Sequence, residues 1–174
     1  MNKHILNTAL AIGAIGLMTQ CQQPTQTGSA TTEPVEQMES DPATPTTLYA
    51  VLEADSALRL QDSLMIGFKV VNPTTDTLQF TVYHTPFEGF ISKFLTVTDG
   101  EGKEVDYIGA MAKRVMPPPA DSYHTLAPGQ DESVMFDLKK GYKIENAGTY
   151  TLQYNSERIN DIANGEPITI TVVE

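Results

Sequence analysis

The chain has 174 residues, one cysteine, no tryptophan and a formal net charge of −11. Its 11 basic residues are scattered among 22 acidic ones, with no stripe to track a phosphate backbone and no polybasic patch, which excludes nucleic-acid binding and electrostatic docking on anionic lipid. A single thiol excludes a disulfide framework, and the lack of tryptophan argues against a sugar platform built on indole stacking.

The first element is apolar. Residues 5–18 are almost all apolar or small, and Lys3 and His4 precede them. The stretch suits a signal-peptide core and falls short of the roughly 20 residues a spanning helix needs. Cys21 follows almost at once. This arrangement resembles a bacterial lipoprotein, in which residues 1–20 are removed and Cys21 becomes the lipidated first residue. Gln20 departs from the small residue usual before the cysteine. The resemblance implies an envelope location, lipid-anchored at the outer membrane and facing the periplasm or the exterior. The alternative is an ordinary cleaved signal. Cys21→Ala separates the two. It should release the protein into the soluble fraction if Cys21 is acylated, and a variant that stays membrane-bound beside a lipid-free wild type would exclude the anchor.

Residues 21–46 are rich in Pro, Thr, Gln, Ser and acids and contain no aromatic residue. Such a composition cannot bury enough apolar surface to offset its ordering entropy. It reads as a disordered tether with a root-mean-square span of about 25–30 Å.

From residue 47 to 174 the apolar period is two. Leu64, Ile66, Phe68 and Val70 mark one strand face, and Leu78, Phe80 and Val82 mark the next. Val134, Phe136 and Leu138, then Tyr150, Leu152 and Tyr154, then Ile168, Ile170 and Val172 repeat the pattern. Turn signals fall between them at Asn72-Pro73, Asp99-Gly100, Ala127-Pro128-Gly129 and Asn164-Gly165. Short strands and regular turns without helical spacing predict an all-β, antiparallel, immunoglobulin-like sandwich. Ala147-Gly148-Thr149-Tyr150-Thr151-Leu152 fits the tyrosine corner of such domains, with Leu152 at the usual cysteine position. A core-facing tyrosine in any strand explains Tyr150 equally well.

Catalytic patterns are missing. His84 and His124 lie about forty residues apart, neither with a second ligand at metal-binding spacing. No Gly-x-Ser-x-Gly elbow and no glycine-rich phosphate cradle occurs. Asp99-Gly100-Glu101-Gly102-Lys103-Glu104 lacks the ligand alternation of an EF-hand and reads as a solvated hairpin turn. The expectation is a non-enzymatic protein with no metal and no cofactor.

The unusual stretch is residues 83–129. Lys113 and Arg114 form a basic pair in an acidic domain, and Met116, Pro117, Pro118 and Pro119 follow. Three prolines favour an extended path with little entropy left to lose, which makes Lys113, Arg114, Met116, Pro117, Pro118 and Pro119 candidate partner-binding residues. On composition alone a crossover between sheets, its prolines blocking edge pairing, is the simpler reading.

Three pieces of this stretch carry a family likeness in order: His84-Thr85-Pro86-Phe87-Glu88-Gly89, Tyr107-Ile108-Gly109-Ala110-Met111-Ala112-Lys113-Arg114 and Ser122-Tyr123-His124-Thr125-Leu126-Ala127-Pro128-Gly129. Together they resemble the N-terminal prodomain of deuterolysin-type zinc metallopeptidases, especially the peptidyl-Lys metalloendopeptidases. Ala110 and Ser122 depart from the proline and aspartate usual at those places. The chain contains no H-E-x-x-H. The resemblance therefore implies a stand-alone relative of the prodomain without the catalytic domain. Its implied partner is a secreted zinc metallopeptidase, which it would inhibit or help to fold. The alternative is a structural or adhesive envelope lipoprotein that binds another surface component.

Overall fold

The computed structural model describes residues 46–174. The expected signal peptide, Cys21 and nearly all of the expected tether lie outside these residues. Ten strands build the domain. In chain order they are β1 (Leu48–Glu53), β2 (Ala57–Arg59), β3 (Met65–Val71), β4 (Leu78–Thr81), β5 (Leu95–Asp99), β6 (Tyr123–Leu126), β7 (Asp131–Asp137), β8 (Gly148–Tyr154), β9 (Ile162–Ala163) and β10 (Ile168–Val173). One four-stranded sheet has the order β7-β3-β1-β9, and a second has the order β2-β10-β8-β5. A small third sheet pairs β4 with β6. The long strands pair antiparallel, whereas the short edges β9 and β2 join β1 and β10 in parallel. This is an all-β sandwich with immunoglobulin-like strand neighbours.

Alternation explains which faces meet. In β3, Ile66, Phe68 and Val70 point inward and are fully buried. Leu152 and Tyr154 of β8 and Ile170 and Val172 of β10 meet them from the other sheet in one core. Phe68 and Tyr154 touch across the sheets with ring centroids 4.9 Å apart. Leu138 is buried too, but in the 3-10 turn Leu138–Lys140 and not in a strand as its spacing suggested. The Asp137 carboxylate explains the change: it accepts from Lys139 N at 3.2 Å and Leu64 N at 3.1 Å, capping the turn and ending the ladder.

Two side chains fix connections. Tyr150 donates its hydroxyl to the Asn146 carbonyl at 2.9 Å, four residues upstream, and Leu152 two residues on is fully buried. Tyr150 is therefore a tyrosine corner. Asn72 is fully buried beyond β3 and donates to the carbonyls of Asp76 (2.8 Å) and Leu126 (3.0 Å), tying the β3–β4 turn to the end of β6.

A second aromatic group fills the end of the sandwich below the long connection. Phe90 stacks on Phe94 with centroids 5.2 Å apart, and Phe136 meets both edge-on. Tyr142 joins through Phe90, and its hydroxyl donates to Leu95 O while accepting from Leu95 N. Burial pushes the Tyr142 phenol well above its usual range, so it stays a neutral donor.

Candidate partner-binding site

The site begins at a short 3-10 turn, Pro86–Glu88. Thr85 caps it by accepting from Phe87 N and donating its hydroxyl to Val82 O at 2.6 Å. Proline in the first turn costs nothing, because its missing N–H would be unpaired there anyway. Gly89 ends the turn at φ 73°, a conformation that strains any residue with a Cβ. The turn aims Glu88 inward. One carboxylate oxygen accepts from the His84 backbone N–H (3.1 Å), the Ser92 hydroxyl (3.1 Å) and the Arg114 guanidinium. The Glu88 and Arg114 side chains are only 7% and 17% exposed.

Arg114 is held on two sides. Its guanidinium carbon lies 4.5 Å from the Tyr83 ring centroid, a cation–π contact, besides pairing with Glu88. His84 sits at φ 56° with its carbonyl accepting from the Tyr154 hydroxyl at 3.1 Å, so the buried core holds this strained residue in place. Tyr107 stands close by. Burial raises its phenol above the ordinary range, the Glu88 charge adds to that, and Arg114 opposes it.

The long connection is stitched down as far as Ala112. Ile108 N donates to Gly141 O at 2.8 Å, Ala110 N to Phe90 O at 2.9 Å and Ala112 N to Ile91 O at 2.9 Å. The Tyr107 hydroxyl donates to Ala110 O at 2.9 Å. A Cβ at Gly109 would overlap the Tyr107 hydroxyl and press on the Phe90 carbonyl, so only glycine lets the chain approach this closely. Between Ala112 and Pro119 no backbone hydrogen bond forms among the described residues. The chain is caught again at Pro119 O, which accepts from Ser122 N (2.9 Å) and Ser122 Oγ (2.6 Å). Pro119 itself is extended at φ −68°, ψ 154°.

What the clamp leaves outside is apolar. Met111, Val115 and Met116 are 72%, 70% and 63% exposed, and Ile108 is exposed as well. Lys113 is exposed among them, with no ion-pair partner among the described residues. Pro117 and Pro119 are exposed and Pro118 is half-buried. The two basic residues thus part company. Lys113 faces solvent, whereas Arg114, expected to face a partner, turns inward because Glu88 offers a buried carboxylate. The three family-like pieces converge: Glu88 meets Arg114, and Ser122 O accepts from Val82 N at 2.9 Å beside His84. Tyr123, exposed, pairs with Thr81 in the β4–β6 ladder, and His84, Thr85 and Pro86 are buried. The Glu88–Arg114 pair was missed in the sequence, although both residues lie within the quoted pieces.

Among the described residues no group of three or more His, Cys, Asp or Glu is arranged to hold a metal ion. The chain matches no protein-family model and no curated protein. Among solved structures, a mutant β-glucosidase from Listeria innocua in complex with laminaribiose overlays with a TM-score of 0.37 and 10% identity over 73% of this chain. A β-glucosidase from Erythrobacter marinus overlays with a TM-score of 0.37 and 16% identity over 72% of this chain. The chain spans 16% of the length of each of these enzymes, and overlays this loose bear on neither its family nor its function.

Proposed function

We propose that the protein is a non-catalytic, lipid-anchored envelope protein that recognises a protein partner, in the manner of a prodomain that inhibits a peptidase or helps it to fold. The observation that supports this reading is the exposed crest of Met111, Val115 and Met116 around Lys113, carried on a stretch that is hydrogen-bonded on both sides. Several large apolar side chains exposed within one short segment cost solvation and commonly mark an interaction site. Holding the crest on a fixed base lowers the entropy lost on binding. Mechanistically the crest shields a cleft on the partner, with Lys113 reaching into a specificity pocket. Acylated Cys21 keeps the domain at the membrane surface.

The test uses a deuterolysin-type catalytic domain as probe. The full chain is titrated into it with peptidase activity as the readout. Saturable loss of activity supports inhibition, and binding without loss of activity supports assisted folding. If no binding is detected, the peptidase reading falls and an adhesive or structural envelope role replaces it.

A further inference from the structure

A second surface lies beside the clamp, on the edge of the first sheet. Strand β7 is an edge strand. Its ladder with β3 runs through Ile66↔Phe136 and Phe68↔Val134, and Leu138 N donates to Leu64 O in the same register. That register turns the N–H and C=O groups of Met135 and Asp137 away from β3. Among the described residues these groups have no hydrogen-bond partner. Near its start β7 is guarded, because the His124 ring sits 2.9 Å from the Glu132 carboxylate. Its second half borders an open cleft of about 440 Å³, bounded by Met65, Met135 and Phe136 on one side and Pro86 and Phe90 on the other, with Lys140 on its lining.

The chemistry of this cleft is specific. Its lining sets two methionines, two phenylalanines and a proline beside Ser63, Gly89, Asp137 and Lys140, and methionine adapts its shape to varied apolar side chains. A free strand edge accepts an extended backbone, with side-chain pockets beside it to select sequence. The lining also carries charge. The Asp137 carboxylate is occupied by the amides of Leu64 and Lys139. Lys140 is exposed and has no ion-pair partner among the described residues. The cleft therefore sets Lys140, a cation without an ion-pair partner among the described residues, beside apolar side chains, with the amide-bound Asp137 carboxylate on the same lining.

We propose that this cleft receives an extended segment of the partner protein in which apolar side chains alternate with carboxylates. The segment adds to the open half of β7, its apolar side chains enter between Met65, Met135 and Phe90, and a carboxylate meets Lys140. The proposal rests on the partner-recognition reading above and names the kind of segment recognised.

The probes are fluorescein-labelled hexapeptides that alternate Val or Leu with Asp or Glu, tested on the ¹⁵N-labelled full chain. Two control sets replace the acids with Lys or the apolar residues with Ser. Saturable binding of the acidic set is expected, with shifted and exchange-protected amides at Met135 and Asp137. Lys140→Glu and Met135→Asp should each weaken binding tenfold or more, while Lys113→Ala leaves it unchanged. No binding at millimolar peptide, equal binding of the Lys-bearing set, or shifts confined to other residues would overturn the proposal. Peptide binding lost with Lys113→Ala would move the contact to the crest and also reject the cleft. Retained binding of the peptidase domain without peptide binding removes the cleft alone, whereas loss of both removes the recognition reading itself.

Discussion

Glu88→Ala is expected to lower the unfolding free energy of the domain by about 3–5 kcal/mol, the range for breaking a buried ion pair from one side. The substitution strands three donors at once: the His84 N–H, the Ser92 hydroxyl and the Arg114 guanidinium. Arg114 then keeps only the Tyr83 ring, while its buried Nε already lacks a partner. A stranded cation in a half-dry site is the larger part of the cost, since exposed pairs are worth about 0–1 kcal/mol. Glu88→Gln retains an acceptor for His84 and Ser92 and should lose less, which separates the charge from the hydrogen bonds. Urea melts of both variants give the comparison. A loss below about 1 kcal/mol for Glu88→Ala would mean that water already screens the pair.

Phe136→Ala should cost about 3–5 kcal/mol as well, for a different reason. Phe136 is buried and meets Phe90 and Phe94 edge-on, with centroids 5.6 and 5.7 Å away. Its removal opens a cavity under the same segment that carries the clamp. The adjacent Met135 points outward and is largely exposed, so Met135→Ala should change stability by no more than about 0.5 kcal/mol. The pair of melts tests the inward and outward alternation of β7 directly. Equal effects would mean that the strand register differs from Ile66↔Phe136.

The sandwich was legible because its long strands alternate, the buried Gly67 of β3 being the exception. Phe68, Phe80, Phe136 and Leu152 all reach the core, as their spacing implied. The corner at Tyr150 was legible from six consecutive residues, though only the hydrogen bond to Asn146 distinguishes it from an ordinary inward tyrosine. Other parts carry no period. Strands β2 and β9 have three and two residues, too few to alternate visibly. Phe87 packs from a single 3-10 turn and Phe90 and Phe94 from irregular backbone, where no repeat announces burial. Arg114 looked like the second half of an exposed basic pair because sequence gives no hint of Glu88, 26 residues away, as its partner. The cleft beside β7 needs the edge position of that strand, which only the sheet order reveals.

The most direct measurement sets affinity beside stability, one variant at a time. Wild type, Lys113→Ala, Met116→Ala and Arg114→Ala are each melted and titrated against a deuterolysin-type catalytic domain. If the clamp presents a recognition crest, Lys113→Ala and Met116→Ala lose affinity about tenfold or more at an unchanged melting temperature, in the range of interface anchor residues. Arg114→Ala should instead lower the melting temperature by several degrees. Lys113→Ala and Met116→Ala variants that bind like wild type, or a wild type that does not bind, would remove the crest as the recognition surface.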